Sequence, residues 1–148
     1  MTIRVPPNKR TRGSLYKAAG DARFDEAEFL EDEHPSGAIY LAGYLVECYL
    51  KWAFCERNGV QYLQDIPDEN VAKFLTSAAG HDLDTLCGIV GYDKHVIPHG
   101  MVDRAFQVAA ERSPRMRYLA ECGDGDDAAR FMAAVRVLRQ DIKQWANT

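Results

Sequence analysis

Residues 38–52 form a long apolar segment, in which fifteen positions hold one acid, Glu47, and one base, Lys51. A surface helix carries an apolar stripe and a polar face, whereas a helix that is apolar on all sides lies in a core. The segment therefore predicts a buried helix. Ser36 is its predicted N-cap, and Asn58-Gly59 is its predicted C-terminal end.

A line of polar side chains runs along this predicted helix. Glu47 precedes Lys51 by four residues, a spacing that lets the two side chains pair on one face. Tyr40 and Tyr44 fall on the same line. Charge in a core is costly unless it is paired or hydrogen-bonded. The line is thus either a structural ion pair inside a bundle or the floor of a polar pocket.

Helices are also predicted at both ends of the chain. The first runs from a Ser14 cap to about Glu33, and the last begins at Asp124 or Asp126. The last helix has the clearest period, with apolar residues at steps of three and four: Ala128, Phe131, Val135, Leu138, Ile142 and Trp145. The first has a broken apolar stripe: Leu15, Ala18, Ala19, Ala22, Phe29 and Leu30.

Shorter helices are predicted between them. One starts at Pro67-Asp68 and closes at Gly80, and a second runs from an Asp82 cap to Val90, where Gly91 ends it. A third covers 102–112, and no segment alternates like a strand. We therefore predict an all-α fold, a bundle of four to five main helices plus a short inserted helix. It forms a single domain over residues 14–148, after a basic, flexible arm at residues 1–13.

Composition is that of an ordinary soluble domain, with 47% apolar and 27% charged residues among 148. The four cysteines show no CxxC spacing, which predicts reduced thiols and a cytoplasmic protein. No apolar leader and no run of eighteen apolar residues is present, so no membrane association is predicted. The net charge of −4 does not favour nucleic acid, although residues 1–17 hold five bases and no acid.

Two short motifs carry candidate chemistry. His81 lies directly before the predicted Asp82 cap, and Arg115-Met116-Arg117-Tyr118 combines two guanidinium groups with a phenol. Arginine binds phosphate through two hydrogen bonds, and tyrosine stacks on bases. The structural alternative is a packed cap histidine and arginines that pair with acids of the first two helices. Neither a phosphate loop nor a metal motif is present, so no metal or cofactor is predicted.

The pattern Ala-Gly-Tyr-x-x-Glu-x-x-x-Lys at residues 42–51, then His81-Asp82-Leu83, then Arg117-Tyr118 resembles the HEPN domain family. The similarity is to small stand-alone prokaryotic members, and it covers roughly residues 14–145. It implies a helical bundle that forms a homodimer and takes part in nucleotide or RNA chemistry. It also implies a partner, since such proteins are often encoded beside a nucleotidyltransferase as a toxin–antitoxin pair.

Many members of that family are metal-independent ribonucleases, whose signature is an arginine followed after four to six residues by a histidine. This chain lacks the signature, because its last histidine is His99 and none follows the later arginines. We therefore predict a non-nucleolytic homodimer that binds a nucleotide, RNA or a partner protein, with no catalytic residue assigned. The alternative is a divergent ribonuclease that uses His81 and Arg117. The candidate ligand-binding residues are Glu47, Lys51, His81, Arg115, Arg117 and Tyr118.

Overall fold

The computed structural model describes residues 11–77, 82–92, 105, 107–109 and 123–148. In these ranges the fold is all-α, as predicted, and Ala105 and residues 107–109 are also helical. The bounded elements are α1 (Gly13–Leu30), α2 (Pro35–Arg57), a 3-10 turn (Leu63–Asp65), α3 (Glu69–Thr76), α4 (Leu83–Val90) and α5 (Gly125–Ala146). Within the described ranges, no helix combines the length and the apolar composition needed to cross a membrane.

Helix α2 is the central element, because α1, α4 and α5 all pack against it. Helix α1 runs antiparallel to α2, since Gly13 at its start lies against Cys55 near the end of α2. Helix α5 runs parallel to α2. Ser36 hydrogen-bonds to Gly123 at one end of this pair, and Arg57 hydrogen-bonds to Trp145 at the other. The prediction that residues 38–52 form a core helix is confirmed.

The period predicted for the last helix is confirmed in α5. Its apolar positions are buried from Ala128 to Ile142, and Trp145 is half-buried. Asp124 caps the helix: its carboxylate accepts from the N–H of Asp127 at 3.0 Å, and the Asp127 carboxylate accepts from the N–H of Asp124 at 3.0 Å. This reciprocal pair satisfies two N–H groups that a helix end leaves without partners.

The predicted starts of the first two short helices are also confirmed, whereas both ends of the third, predicted over 102–112, lie outside the described residues. Asp68 caps α3 and Asp82 caps α4, each accepting from two backbone N–H groups. Helix α4 ends at Gly91, whose φ of 73° favours glycine. Helix α3, however, ends at Thr76 and not at Gly80, because Ser77 turns to extended backbone.

Two predicted caps are wrong. Helix α1 begins at Gly13 with Arg12 as its N-cap and ends at Leu30, so Ser14 lies inside the helix and Glu33 lies beyond it. Helix α2 begins at Pro35, one residue before Ser36. Proline is favoured in a first helical turn because its missing N–H is not needed there. The Ser36 hydroxyl instead donates to the carbonyl of Gly123 at 3.2 Å and ties α2 to the start of α5.

The apolar stripe predicted for α1 is wrong as its packing face. Leu15 is 57% exposed and Phe29 is 86% exposed. The buried residues are instead Gly13, Gly20, Phe24 and Ala27. A side chain added at Gly20 would lie 3.1 Å from the Cβ of Cys48 and 3.2 Å from the Tyr49 ring. Glycine therefore permits the close approach of α1 to α2.

This close approach predicts opposite effects for two helical glycines. Gly20→Ala should lower the free energy of unfolding by about 1–2 kcal/mol, because the new methyl group pushes α1 away from α2. Gly88→Ala should raise it by about 0.5–1 kcal/mol, because nothing lies within 4 Å and alanine favours helix. Urea unfolding of the two variants shows whether each substitution raises or lowers the free energy of unfolding. A stabilised Gly20→Ala protein would contradict the tight contact.

The last residues of the predicted N-terminal arm pack against the chain that follows α2. The N–H of Thr11 donates to the side chain of Gln64 at 2.9 Å, and the N–H of Leu63 donates to the carbonyl of Thr11 at 3.0 Å. Arg12 forms an isolated bridge with Tyr62, and its guanidinium lies 5.8 Å from the centre of that ring. Residues 1–10 of the arm lie outside the described residues.

Candidate functional site

The predicted pair of Glu47 and Lys51 is confirmed and buried. The Lys51 Nζ donates to the Glu47 Oε1 at 3.1 Å, and the side chains are only 5% and 4% exposed. They are the charged residues found in the described core. Each charge depends on the other, because a lone charge in such surroundings is strongly unfavourable.

Tyr16 of α1 lies over this pair. The Lys51 Nζ lies 5.4 Å from the centre of the Tyr16 ring, a distance that permits a cation–π contact. Burial raises the pKa of Tyr16, and the nearby Cys48 and Glu47 raise it further, since a tyrosinate would add negative charge beside them. The Tyr16 phenol is therefore held in its neutral form.

The polar line continues from the pair towards the start of α2. The hydroxyl groups of Tyr40 and Tyr44 share a hydrogen bond of 2.6 Å, and their rings meet edge to face with centres 5.2 Å apart. Both tyrosines are half-buried. A phenol can donate or accept a hydrogen bond, so this part of the line suits a polar ligand.

The other four candidates, His81, Arg115, Arg117 and Tyr118, lie outside the described residues. Their convergence on α2 therefore stays a prediction.

A second polar cluster, made of Asp21, Tyr49 and Arg139, joins three helices. The Tyr49 hydroxyl donates to Asp21 of α1, and Arg139 of α5 donates to Asp21 at 2.7 Å and to the Tyr49 hydroxyl at 3.3 Å. The Arg139 guanidinium also lies 5.4 Å from the centre of the Phe24 ring. Sequence analysis missed this cluster because its members are far apart in the chain, and no periodic signal links them.

A third set of contacts holds the end of α5. The Tyr92 hydroxyl donates to Asp141, and the Tyr92 ring lies 5.1 Å from the ring of Trp145. Arg57 stacks on Trp145 at 4.7 Å from its centre and donates to its carbonyl at 2.9 Å. These contacts fix the ends of α2 and α5 together, so they serve the scaffold of the site.

The described cysteines are free thiols, in agreement with the predicted reduced state: Cys48, Cys55 and Cys87. Burial, together with the nearby negative charge of Glu56, raises the pKa of Cys55 to about 11. The thiolate is the reactive form, so Cys55 is an inert packing residue near neutral pH.

Buried phenol and thiol groups predict a loss of stability at alkaline pH. Burial and the hydrogen bond to Asp21 raise the pKa of Tyr49 to about 12, whereas a tyrosine in the unfolded chain has a pKa of about 10. The stabilisation from neutral Tyr49 is therefore complete below about pH 10 and is lost as the pH rises towards 12. Cys55 adds a loss between its ordinary pKa of 9.0 and about 11.

We expect the free energy of unfolding to fall steadily from about pH 9 upwards. The Tyr49→Phe protein should keep the loss due to Cys55 but show a shallower decline between about pH 10 and 12. Urea unfolding over this pH range tests the prediction. Equal slopes in the parent and Tyr49→Phe proteins would show that Tyr49 does not contribute.

Comparisons of the chain with protein-family models, with curated proteins and with solved structures found no match. Its function is therefore inferred from its own residues and their geometry.

Proposed function

We propose that this protein is a HEPN-like homodimer that binds a nucleotide or RNA without cleaving it. The observation that carries the proposal is the polar line of α2, where a buried ion pair leads to two hydrogen-bonded phenols in an otherwise apolar core helix. If this helix had only a structural role, apolar residues at these positions would stabilise the fold at least as well, because replacing a buried ion pair by apolar residues is often neutral or stabilising.

The described ends of two neighbouring segments support a site on this helix. Ser36 holds Gly123, which follows Arg117 by six residues in the sequence. Asp82 directly follows His81 and caps α4, which packs against α2. A described residue next to each of the remaining candidate segments, Asp82 or Gly123, thus lies on the scaffold around α2. Two arginines and a tyrosine supply what a phosphate and a base require.

The absent arginine–histidine signature supports binding without cleavage. Attack of the ribose 2′-hydroxyl on the neighbouring phosphate needs a group that accepts the proton and one that supplies a proton to the leaving oxygen. The family's usual residues for that work are missing, because no histidine follows His99.

Calorimetry on the full chain tests the binding. Nucleoside mono- and triphosphates and short RNA oligomers are the probes, and at least one should bind more tightly than about 1 mM, which corresponds to about −4 kcal/mol. Arg117→Ala should weaken that binding at least about tenfold, since it removes a charged contact to phosphate. Arg130→Ala, at an exposed position on α5, is the matched control and should leave it unchanged. The absence of binding by every probe would overturn the proposal.

Incubation with cellular RNA tests the second half of the proposal. We expect an intact RNA profile. Cleavage that His81→Ala abolishes would replace the proposal by the divergent ribonuclease with His81 and Arg117 as its reactive groups.

The proposal extends to a nucleotidyltransferase as partner protein in a toxin–antitoxin-type pair. A nucleotidyltransferase gene beside this one, and co-purification of the two products, would support that partnership. The absence of a neighbouring nucleotidyltransferase gene, together with no complex between the two proteins, would exclude the partnership.

A further inference from the structure

A shallow apolar groove lies beside the C-terminal end of helix α1. It measures about 480 Å³, and its apolar lining consists of Phe29 and Leu30 of α1 and Leu41 of α2. Phe29 is 86% exposed, which makes it the most exposed large apolar side chain among the described residues. An apolar patch with a polar rim is typical of a site where another molecule binds. The groove therefore suits an apolar side chain of a partner.

The rim of the groove is acidic. Asp25 and Glu26 line it, and residues 25–33 contain six acids and no base. Within the part of the chain that the structure describes, Arg23 and Arg136 pair with two of these acids, at 2.6 Å and 3.4 Å. Four negative charges remain, and one of them, Asp25, lies in the groove itself.

These acids lie at an unfavourable place for the isolated chain. Helix α1 ends at Leu30, and its last turn contains no base. The C-terminal end of a helix carries a partial negative charge, so cations stabilise it and acids destabilise it. The end of α1 would therefore be stabilised by a positive charge that its last turn does not supply.

Charge and shape together distinguish between classes of partner. A nucleic acid and an anionic membrane surface both carry dense negative charge, which this face repels. A neutral apolar surface would bury the carboxylates of the rim without partners. A protein segment with lysine or arginine beside apolar side chains meets both requirements, because its apolar groups fill the groove while its cations pair with the carboxylates.

We propose that the groove of Phe29, Leu30 and Leu41 binds a basic, amphipathic segment of a partner protein. An apolar side chain of that segment packs between Phe29 and Leu41, and a neighbouring lysine or arginine pairs with Asp25. This docking is independent of nucleotide or RNA binding, which requires a positive surface. Failure of one therefore leaves the other standing.

Selection from a library of short, displayed random peptides on the full chain tests the chemistry of the partner. Peptides that also bind the Phe29→Ser protein are removed by counter-selection. We expect the remaining peptides to carry an apolar residue flanked by lysine or arginine. Enrichment of acidic or uncharged peptides would overturn the proposal, and so would the absence of any peptide that prefers the parent.

Fluorescence anisotropy of the most enriched peptide tests the position of the contact. Asp25→Lys should raise the dissociation constant at least about tenfold, because it replaces an ion pair by a repulsion. The same peptide with its lysines and arginines changed to glutamate should bind Asp25→Lys more tightly than the parent. Glu56→Lys makes the same change of charge at an exposed position near the other end of α2 and should leave binding unchanged. Equal weakening by Asp25→Lys and Glu56→Lys would overturn the proposal, since net charge alone would then explain binding.

Sedimentation velocity separates a partner segment from a second copy of this chain as the occupant. The parent and Phe29→Ser proteins should have the same oligomeric state. Dissociation of a dimer by Phe29→Ser, but not by Ile89→Ser at a 38% exposed position on α4, would show that a second copy fills the groove and would overturn the proposal. Both side chains are exposed, so the melting temperatures should stay close to that of the parent.

Discussion

Replacing Glu47 with alanine should lower the free energy of unfolding by about 3–5 kcal/mol, since it leaves the ammonium of Lys51 buried without its carboxylate. In a protein of 148 residues, such a loss lowers the melting temperature by about 10 °C or more. Urea unfolding and thermal melting measure the two quantities. A change below about two degrees would show that the pair is solvated, contrary to the 4% exposure of the Glu47 side chain.

Two controls separate burial from the mere loss of an ion pair. Glu26→Ala breaks the pair of Glu26 with Arg23, whose side chains are 50% and 41% exposed, and should leave the melting temperature close to that of the parent because an exposed pair adds little stability. Replacing Glu47 by leucine together with Lys51 by methionine removes both charges, and it should restore most or all of the stability. A double variant as unstable as Glu47→Ala would mean that the hydrogen-bonded pair itself stabilises the fold, and that the loss in Glu47→Ala is not due to an unpaired buried charge.

Replacing Tyr49 with alanine should lower the free energy of unfolding by about 3–5 kcal/mol, the cost of deleting a large buried aromatic side chain. Tyr49 is fully buried at the centre of α2 and contacts α1 and α5 through Asp21 and Arg139. Its ring also meets Trp52 edge to face at 5.6 Å. Chemical denaturation gives the loss directly.

Tyr49→Phe is the matched control, because it keeps the ring and removes only the hydroxyl. It should cost about 1 kcal/mol, since Arg139 still bonds to Asp21 at 2.7 Å. If Tyr49→Phe costs as much as Tyr49→Ala, the hydroxyl and not the packing joins the three helices.

The parts of the fold that the sequence predicts well are those with local causes. Asp68, Asp82 and Asp124 cap helices because each carboxylate bonds to backbone N–H groups within three residues of it. The charged pair of α2 was predictable for the same reason, since its two members lie one helical turn apart.

The parts that were missed depend on contacts between distant segments. The packing face of α1 combines Phe24 and Ala27 with Gly13 and Gly20, and glycine gives no apolar signal. The predicted stripe therefore fell on Leu15 and Phe29, which are exposed. Ser36 has the residue type of a cap, but its hydroxyl bonds to Gly123, 87 residues away.

The candidate site follows the same division. Glu47, Lys51 and the two tyrosines share one helix, so their alignment was predictable from spacing alone. The cluster of Asp21 and Arg139 around Tyr49 joins residues up to 118 positions apart, and only the packing of three helices brings them together.

The seven tyrosines provide the most direct test of the polar line as a ligand site: Tyr16, Tyr40, Tyr44, Tyr49, Tyr62, Tyr92 and Tyr118. The measurement is fluorine NMR of fluorotyrosine-labelled protein, titrated with the tightest-binding nucleotide or RNA. We predict that the signals of Tyr40, Tyr44 and Tyr118 shift together on binding, whereas those of Tyr62 and Tyr92 stay in place. Shifts at Tyr62 or Tyr92 with none at Tyr40 and Tyr44 would contradict a site on α2.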